Sequence, residues 1–134
     1  MSQENAELVL ASNAAYNARE LDTAVNLCAA DVKVFPDASV FPEAAPLVGR
    51  DQYRDFMEET WSAWSSGQLT PTEIREIGDG RVLVRSEWSV TGTSSGVETS
   101  MNFSAIVAVR DGQIARMDFF FDHDKALEAA GLAE

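Results

Sequence analysis

The sequence is poor in the residues that build most kinds of reactive centre. It has one cysteine, Cys28, and one histidine, His123. A single cysteine excludes an intrachain disulfide and suits a reducing compartment, so the chain is expected in the cytoplasm. One histidine, one cysteine and scattered carboxylates do not approach zinc or iron ligand spacing, and no metal is expected. There is no Gly-rich phosphate loop, Walker motif or nucleophile elbow, and no cofactor is expected. Basic residues are also few: 10 Lys and Arg stand against 22 Asp and Glu, a net charge of −12. No Lys/Arg cluster offsets this locally. Such a surface repels phosphate backbones and anionic headgroups, so neither nucleic acid nor a membrane is an expected partner. No apolar run nears the ~20 residues of a transmembrane helix. The opening MSQENAELVL lacks the basic start and apolar stretch of a signal peptide. No repeat, low-complexity segment or linker is visible.

What remains is a chain of 134 residues, 46% hydrophobic, which suits one domain over 1–134 with one core. Leu8, Ala11, Ser12, Ala15 and Tyr16 recur at helical spacing and predict a helix over about residues 3–18. Leu21, Ala24, Val25 and Cys28 repeat the pattern in a shorter helix, which makes Cys28 a small core residue. Val32 to Phe35 reads as a short strand. FPDASVFPEAAP follows, and its three prolines exclude regular structure. Gly49 opens a third helix with Tyr53, Phe56, Met57, Thr60, Trp61 and Trp64 in one stripe, and Ser65-Ser66-Gly67 ends it.

The period then switches to two. Strands are predicted over Leu69–Ile77, Arg81–Gly92, Val97–Val109 and Gln113–Phe121. Gly78-Asp79-Gly80, Thr93–Gly96 and Asp111-Gly112 turn them, the last suited to a type I′ turn. Asp122 is placed as the N-cap of a short C-terminal helix, and Gly131 just past its end. Helices first and an antiparallel meander after mean α+β. The expected architecture is a cone: a curved antiparallel sheet with three N-terminal helices on its concave side, enclosing a pocket.

ARELDTAVNLCAADVKV, the Gly49-Arg50-Asp51 helix start, SSGVET, VRDGQI and FFFDHDKALEAAGL occur in an order and spacing that resembles the SnoaL-like branch of the nuclear transport factor 2-like superfamily. The resemblance covers essentially the whole chain. It implies the cone and a homodimer. It does not imply one reaction, because the superfamily includes isomerases, epoxide hydrolases, cyclases, dehydratases and non-catalytic modules.

Strand alternation places Met117, Phe119 and Phe121 on one face with Met101, Phe103, Ala105 and Val107, and with Val82, Val84, Ser86, Trp88 and Val90. This is the expected pocket face. The tyrosine, base and buried acid that ketosteroid isomerases use fall on Ser12, near Pro36 and on Ala105, with Asp37 one residue from the base position. The Arg–Asp–Asp set of limonene-type epoxide hydrolases falls on Ser86, Trp88 and Phe119. Arg85 and Glu87 have the right spacing on the wrong face, which one β-bulge would reverse. The pocket Asp of SnoaL-type cyclases has no secure counterpart; Asp118 and Asp122 point inward only if the faces are exchanged.

Three residues form the candidate acid/base set. Tyr16 lies one turn after Ser12 and could donate to a ligand carbonyl; the plainer role is a core tyrosine. Asp37 begins the proline-rich loop as a lone carboxylate near apolar walls; the plainer role is a turn residue. His123 sits between Asp122 and Asp124; the plainer role is an exposed first-turn residue. Trp61, Trp64 and Trp88 are the largest aromatic investment, and each buried indole needs an acceptor. The expected ligand is a small hydrophobic molecule held by Ser12, Tyr16, Met57, Trp61, Trp88, Phe103, Met117, Phe119 and Phe121. An isomerase, cyclase or hydrolase is one expectation; a non-catalytic ligand-binding or dimerisation module is the other. The outer face holds Asn102, Ser104, Ile106, Ala108, Asp118 and Phe120, too few charges for a bare solvent face.

Overall fold

Two helices lead into a six-stranded sheet whose long strands come from the second half of the chain. The computed structural model describes residues 2–37 and 45–132, with side chains for 3–37, 45–62 and 67–132. The elements are α1 (Ser2–Asn17), α2 (Leu21–Asn26), β1 (Cys28–Phe35), β2 (Leu47–Val48), α3 (Arg50–Ala63), β3 (Trp64–Gly78), β4 (Arg81–Gly92), β5 (Glu98–Arg110), β6 (Gln113–Phe120) and α4 (His123–Ala129). The strand order is β2-β1-β6-β5-β4-β3.

The meander β3–β6 is antiparallel throughout. Its tight turns use the residues that positive φ favours. Asp79 and Gly80 have φ of 57° and 72°, and Asp111 and Gly112 have 54° and 76°, the pattern of type I′ turns. β1 departs from the expected antiparallel sheet and runs parallel to β6. A strand from the start of the chain joins its end without a hairpin, so no turn dictates its direction.

The helices also depart from expectation. Only α1 and α2 precede the sheet; α3 follows β1 and β2. Cys28 opens β1 instead of extending α2, because Cys28 pairs with Ile114 and the Ile114 N–H donates to the Leu27 carbonyl at 2.9 Å. Sheet pairing outweighs helical spacing at this point. On α1, Val9, Ser12 and Ala15 are buried while Ala11 is exposed, so the buried stripe is rotated from the predicted one. β3 starts at Trp64, where the Ser-Ser-Gly run was expected to end a helix. Pro42, and most of the proline-rich loop, lies outside the described residues, as do the side chains of Trp64, Ser65 and Ser66.

Arg50 ties α3 to β1 by donating from Nε and Nη2 to the Cys28 carbonyl at 2.9 and 2.6 Å. The main core then forms between the helices and the concave face, from Val9, Ala24, Val34, Met57, Val84, Val107, Ile114 and Met117 among others. A second, smaller core lies on the convex face. There α4 sets Ala126 and Ala130 against Leu83 and Ile106, with Phe120 and Leu127 at the edge. Asp122 caps α4 by accepting from the Asp124 N–H at 2.9 Å, and Gly131 leaves it at φ +78°. The apolar residues of the outer face therefore have a cover within the chain. Its remaining part, with Arg85, Glu87 and Arg116, is polar.

Candidate functional site

The helices do not fill the concave face. A cavity of about 870 Å³ remains between α1, α3 and the sheet. α1 contributes Val9, Ser12, Asn13 and Tyr16, and α3 contributes Tyr53, Phe56, Met57 and Thr60. β4 supplies Val84, Ser86 and Trp88, and β5 supplies Met101, Phe103, Ala105 and Val107. β6 and the residue after it add Ile114, Met117, Phe119 and Phe121, and Pro36 with Asp37 closes the end of β1.

Register explains this wall. β4 pairs with β5 without interruption, setting Val84 opposite Ala105, Ser86 opposite Phe103 and Trp88 opposite Met101. Arg85 and Glu87 keep the outward parity, since no bulge intervenes on that side. A bulge does occur between Ala108 and Val109 in the β5–β6 pairing. It turns Ile114 inward, where strict alternation from Met117 would place Ala115.

Four rings make one aromatic surface. Phe103 lies 5.1 Å from Phe119, 5.3 Å from Phe121 and 6.0 Å from Trp88, and Trp88 lies 6.1 Å from Phe121. Beside them is the one charged side chain among the described buried residues, Asp37, at 6% exposure. Its Oδ2 accepts a hydrogen bond from the Phe121 N–H at 2.8 Å. That bond holds the carboxylate at the edge of the aromatic surface.

The α1 side offers donors. Burial pushes the Tyr16 phenol up to about 12, partly offset by the neighbouring Trp88 indole and by the Arg19 charge. Tyr16 therefore keeps its proton at neutral pH and can donate it. Asn13 Nδ2 is buried and has no hydrogen-bond partner among the described residues. Burial also raises Tyr53, and it pushes the Cys28 thiol up to about 11 against the opposing Arg50 charge.

The structure brings Ser12, Tyr16, Asp37, Met57, Trp88, Phe103, Met117, Phe119 and Phe121 to the cavity. Trp61 is not on its wall. It stacks on Tyr16 with ring centroids 4.7 Å apart, and the Arg19 guanidinium lies 4.1 Å from the centre of the Trp61 ring. His123 is on the opposite side of the sheet. Its Nδ1 meets Ser104 Oγ at 2.7 Å under α4, and Ser104 has the parity opposite to Phe103 and Ala105. Acid/base work in the cavity is therefore out of its reach. Among the described residues, no group of three His, Cys, Asp or Glu could hold a metal ion.

Sequence reading missed Asn13 and Tyr53 as cavity residues. Asn13 lies four residues after Val9, so the rotation of α1 that buries Val9 also brings Asn13 to the wall. Ser86, put on the pocket face by strand parity, does line the cavity between Val84 and Trp88.

Solved structures share this architecture. TerC, co-crystallised with polyporic acid, is 25% identical with a TM-score of 0.77, covering 96% of this chain and 98% of that one. A protein with a ketosteroid isomerase-like fold from Catenulispora acidiphila, in complex with trimethylamine, is 19% identical with a TM-score of 0.76, covering 94% and 93%. A protein of unknown function with the nuclear transport factor 2-like fold, from Burkholderia pseudomallei, is 21% identical with a TM-score of 0.78, covering 93% and 95%. No curated protein matches the sequence. The SnoaL-like domain model matches residues 9–117, and with that span the chain belongs to the SnoaL-like domain family of the nuclear transport factor 2-like superfamily.

Proposed function

We propose that the protein binds a small hydrophobic molecule in the cavity. Asp37 is its principal polar contact and the base that removes an acidic proton from it. One observation carries this reading: among the described residues, a single buried carboxylate stands at the wall of an otherwise largely apolar cavity. The volume suits a drug-sized molecule, since ligand cavities run about 300–1,000 Å³. Tyr16 and Asn13 would donate to oxygen on the same molecule and stabilise negative charge that develops there. Isomerisation, cyclisation and hydrolysis all fit this sparse set. The ligands named for TerC and for the Catenulispora protein support small-molecule binding in such a fold.

A thermal-shift screen with steroids, terpenes, aromatic ketones and hydrophobic amines tests binding, because a ligand of the native state raises its melting temperature by mass action. Hits are then followed for turnover with the wild type and Asp37→Asn. A flat screen on well-folded protein would sink the reading. A second reading, binding without turnover, is favoured by the use of Asp37 to fix the Phe121 backbone. Saturable binding with no product would select it. The homodimer is also a proposal here, resting on the family resemblance and on the polar strip left beside α4; sedimentation measures it directly.

A further inference from the structure

We infer that the cavity selects a hydrophobic amine, with its ammonium group on Asp37 against the Trp88, Phe103 and Phe121 rings, over a neutral or acidic molecule of the same shape. This rests on the proposed binding of a small molecule in the cavity, takes Asp37 as the ligand's polar contact and not as a base, and adds the sign of the ligand's charge.

Three observations carry it. The first is the electrostatics of the wall. All ten Lys and Arg of the chain are among the described residues, and none lines the cavity. Among the described residues, the charged ones that do line it are Asp37, which is buried, and Glu59, which is exposed. The protein around them carries a net charge of −12. A low-dielectric hollow with acidic groups in an acidic protein concentrates cations and repels anions.

The second is the setting of the carboxylate. The Phe121 N–H holds Asp37 Oδ2 at 2.8 Å, so the carboxylate and the Phe121 ring belong to neighbouring points of one surface. Trp88 and Phe103 lie within 6.1 Å of Phe121, centroid to centroid. Aromatic faces carry negative quadrupole charge and attract ammonium groups, with tryptophan the strongest. A carboxylate beside such rings favours an organic cation by both means at once. A ligand acid at the same place would face a like charge and a ring face that both oppose it.

The third is the polarity of the opposite side. Asp37 hangs from the end of β1, while α1 packs on the same face against β3 and β4, towards the other edge of the sheet. The α1 groups Tyr16 and Asn13 are donors, and Asn13 Nδ2 has no hydrogen-bond partner among the described residues. The favoured ligand therefore has an ammonium on an apolar body, with room for an acceptor oxygen that takes a hydrogen bond from Asn13 or Tyr16.

Matched probes test this. N,N-dimethylbenzylamine, cationic at neutral pH, is compared with isobutylbenzene, its carbon isostere, and with phenylacetate, by calorimetry or ligand-observed NMR. The amine should bind about tenfold or more tighter than isobutylbenzene, and phenylacetate should not bind. The preference should fall towards unity in Asp37→Asn and shrink in Phe121→Leu, which keeps the backbone N–H. In the wild type it should also vanish on acidification that protonates carboxylates, with isobutylbenzene unaffected; this arm holds even where Asp37→Asn does not fold. Equal binding of the amine and the isostere would overturn the inference and leave the cavity reading standing. Binding of none of the three would overturn both.

Discussion

Asp37 and Phe121 are 84 residues apart in sequence and are joined by one hydrogen bond, from the Phe121 backbone N–H to Asp37 Oδ2 at 2.8 Å. It fastens the exit of β1 to the exit of β6, its parallel neighbour, at the point where both reach the cavity. The carboxylate thus has a structural task as well as a place beside the ligand space. Asp37→Ala leaves a buried N–H without its acceptor and should cost about 1–3 kcal/mol in urea unfolding. Asp37→Asn keeps an acceptor oxygen and should cost far less. Equal losses in the two variants would mean that the charge, not the hydrogen bond, matters to stability.

His123 meets Ser104 at 2.7 Å on the convex side and pins α4 to the sheet. His123→Ala should lower stability by about 0.5–1.5 kcal/mol, the worth of one such bond. Ligand affinity should be unchanged within error. A large change in binding with little change in stability would place His123 in the site after all.

Phe119 is half-buried, packs against Phe103 and faces the cavity. Phe119→Ala removes contacts on one side only, because the other side borders empty space. It should cost about 2 kcal/mol, less than the ~3–5 kcal/mol of a fully buried phenylalanine. Affinity for any cavity ligand should fall with it. A loss near the upper figure, with affinity untouched, would show the ring to be core.

Gly80 sits in the β3–β4 turn at φ +72°, and a Cβ there would lie 2.9 Å from the Val109 carbonyl oxygen. Gly80→Ala therefore meets backbone that cannot swing aside, in addition to about 1–2 kcal/mol of left-handed strain. Thermal unfolding should show a loss larger than that strain alone. Gly112→Ala, with φ +76° and nothing within 4 Å, supplies the strain without the clash.

Alkaline pH should unfold the protein through its buried acids. Tyr16 rises from 10 to about 12 and Cys28 from 9 to about 11, both by burial, while Tyr53 is also pushed up. Between each pair of values the native state keeps a proton that the unfolded chain releases. Stability is therefore full below the lower values and falls as pH rises through the upper ones. Tyr16→Phe should flatten part of that decline in denaturant titrations at stepped pH. In the native state Cys28 should resist thiol reagents at pH 8 and react as the chain unfolds; prompt labelling would contradict its burial.

The four long strands, both Asp-Gly turns and the α4 caps are legible from the chain because each depends on neighbours a few residues away. Alternation sets which face a side chain takes, and only glycine or a short polar residue tolerates the left-handed conformations at 79–80 and 111–112. The aromatic wall from Trp88 to Phe121 follows from the same alternation, since β4 and β5 pair without a slip. Cys28 shows where local spacing stops deciding: its helical pattern yields to pairing with Ile114, a partner 86 positions later.

The remaining decisions needed the third dimension. The rotation of α1 that buries Val9 and brings Asn13 to the cavity is set by the helix's packing on β3 and β4. The bulge that turns Ile114 inward depends on how β6 is spliced to β5. Trp61 is off the cavity wall, stacked on Tyr16, and His123 stands on the far side of the sheet, although both carry side chains that sequence patterns associate with a site. Local period and turn chemistry fix which way a residue faces along its own strand or helix. Only long-range packing decides what lies opposite, and a site consists of residues that lie opposite one another.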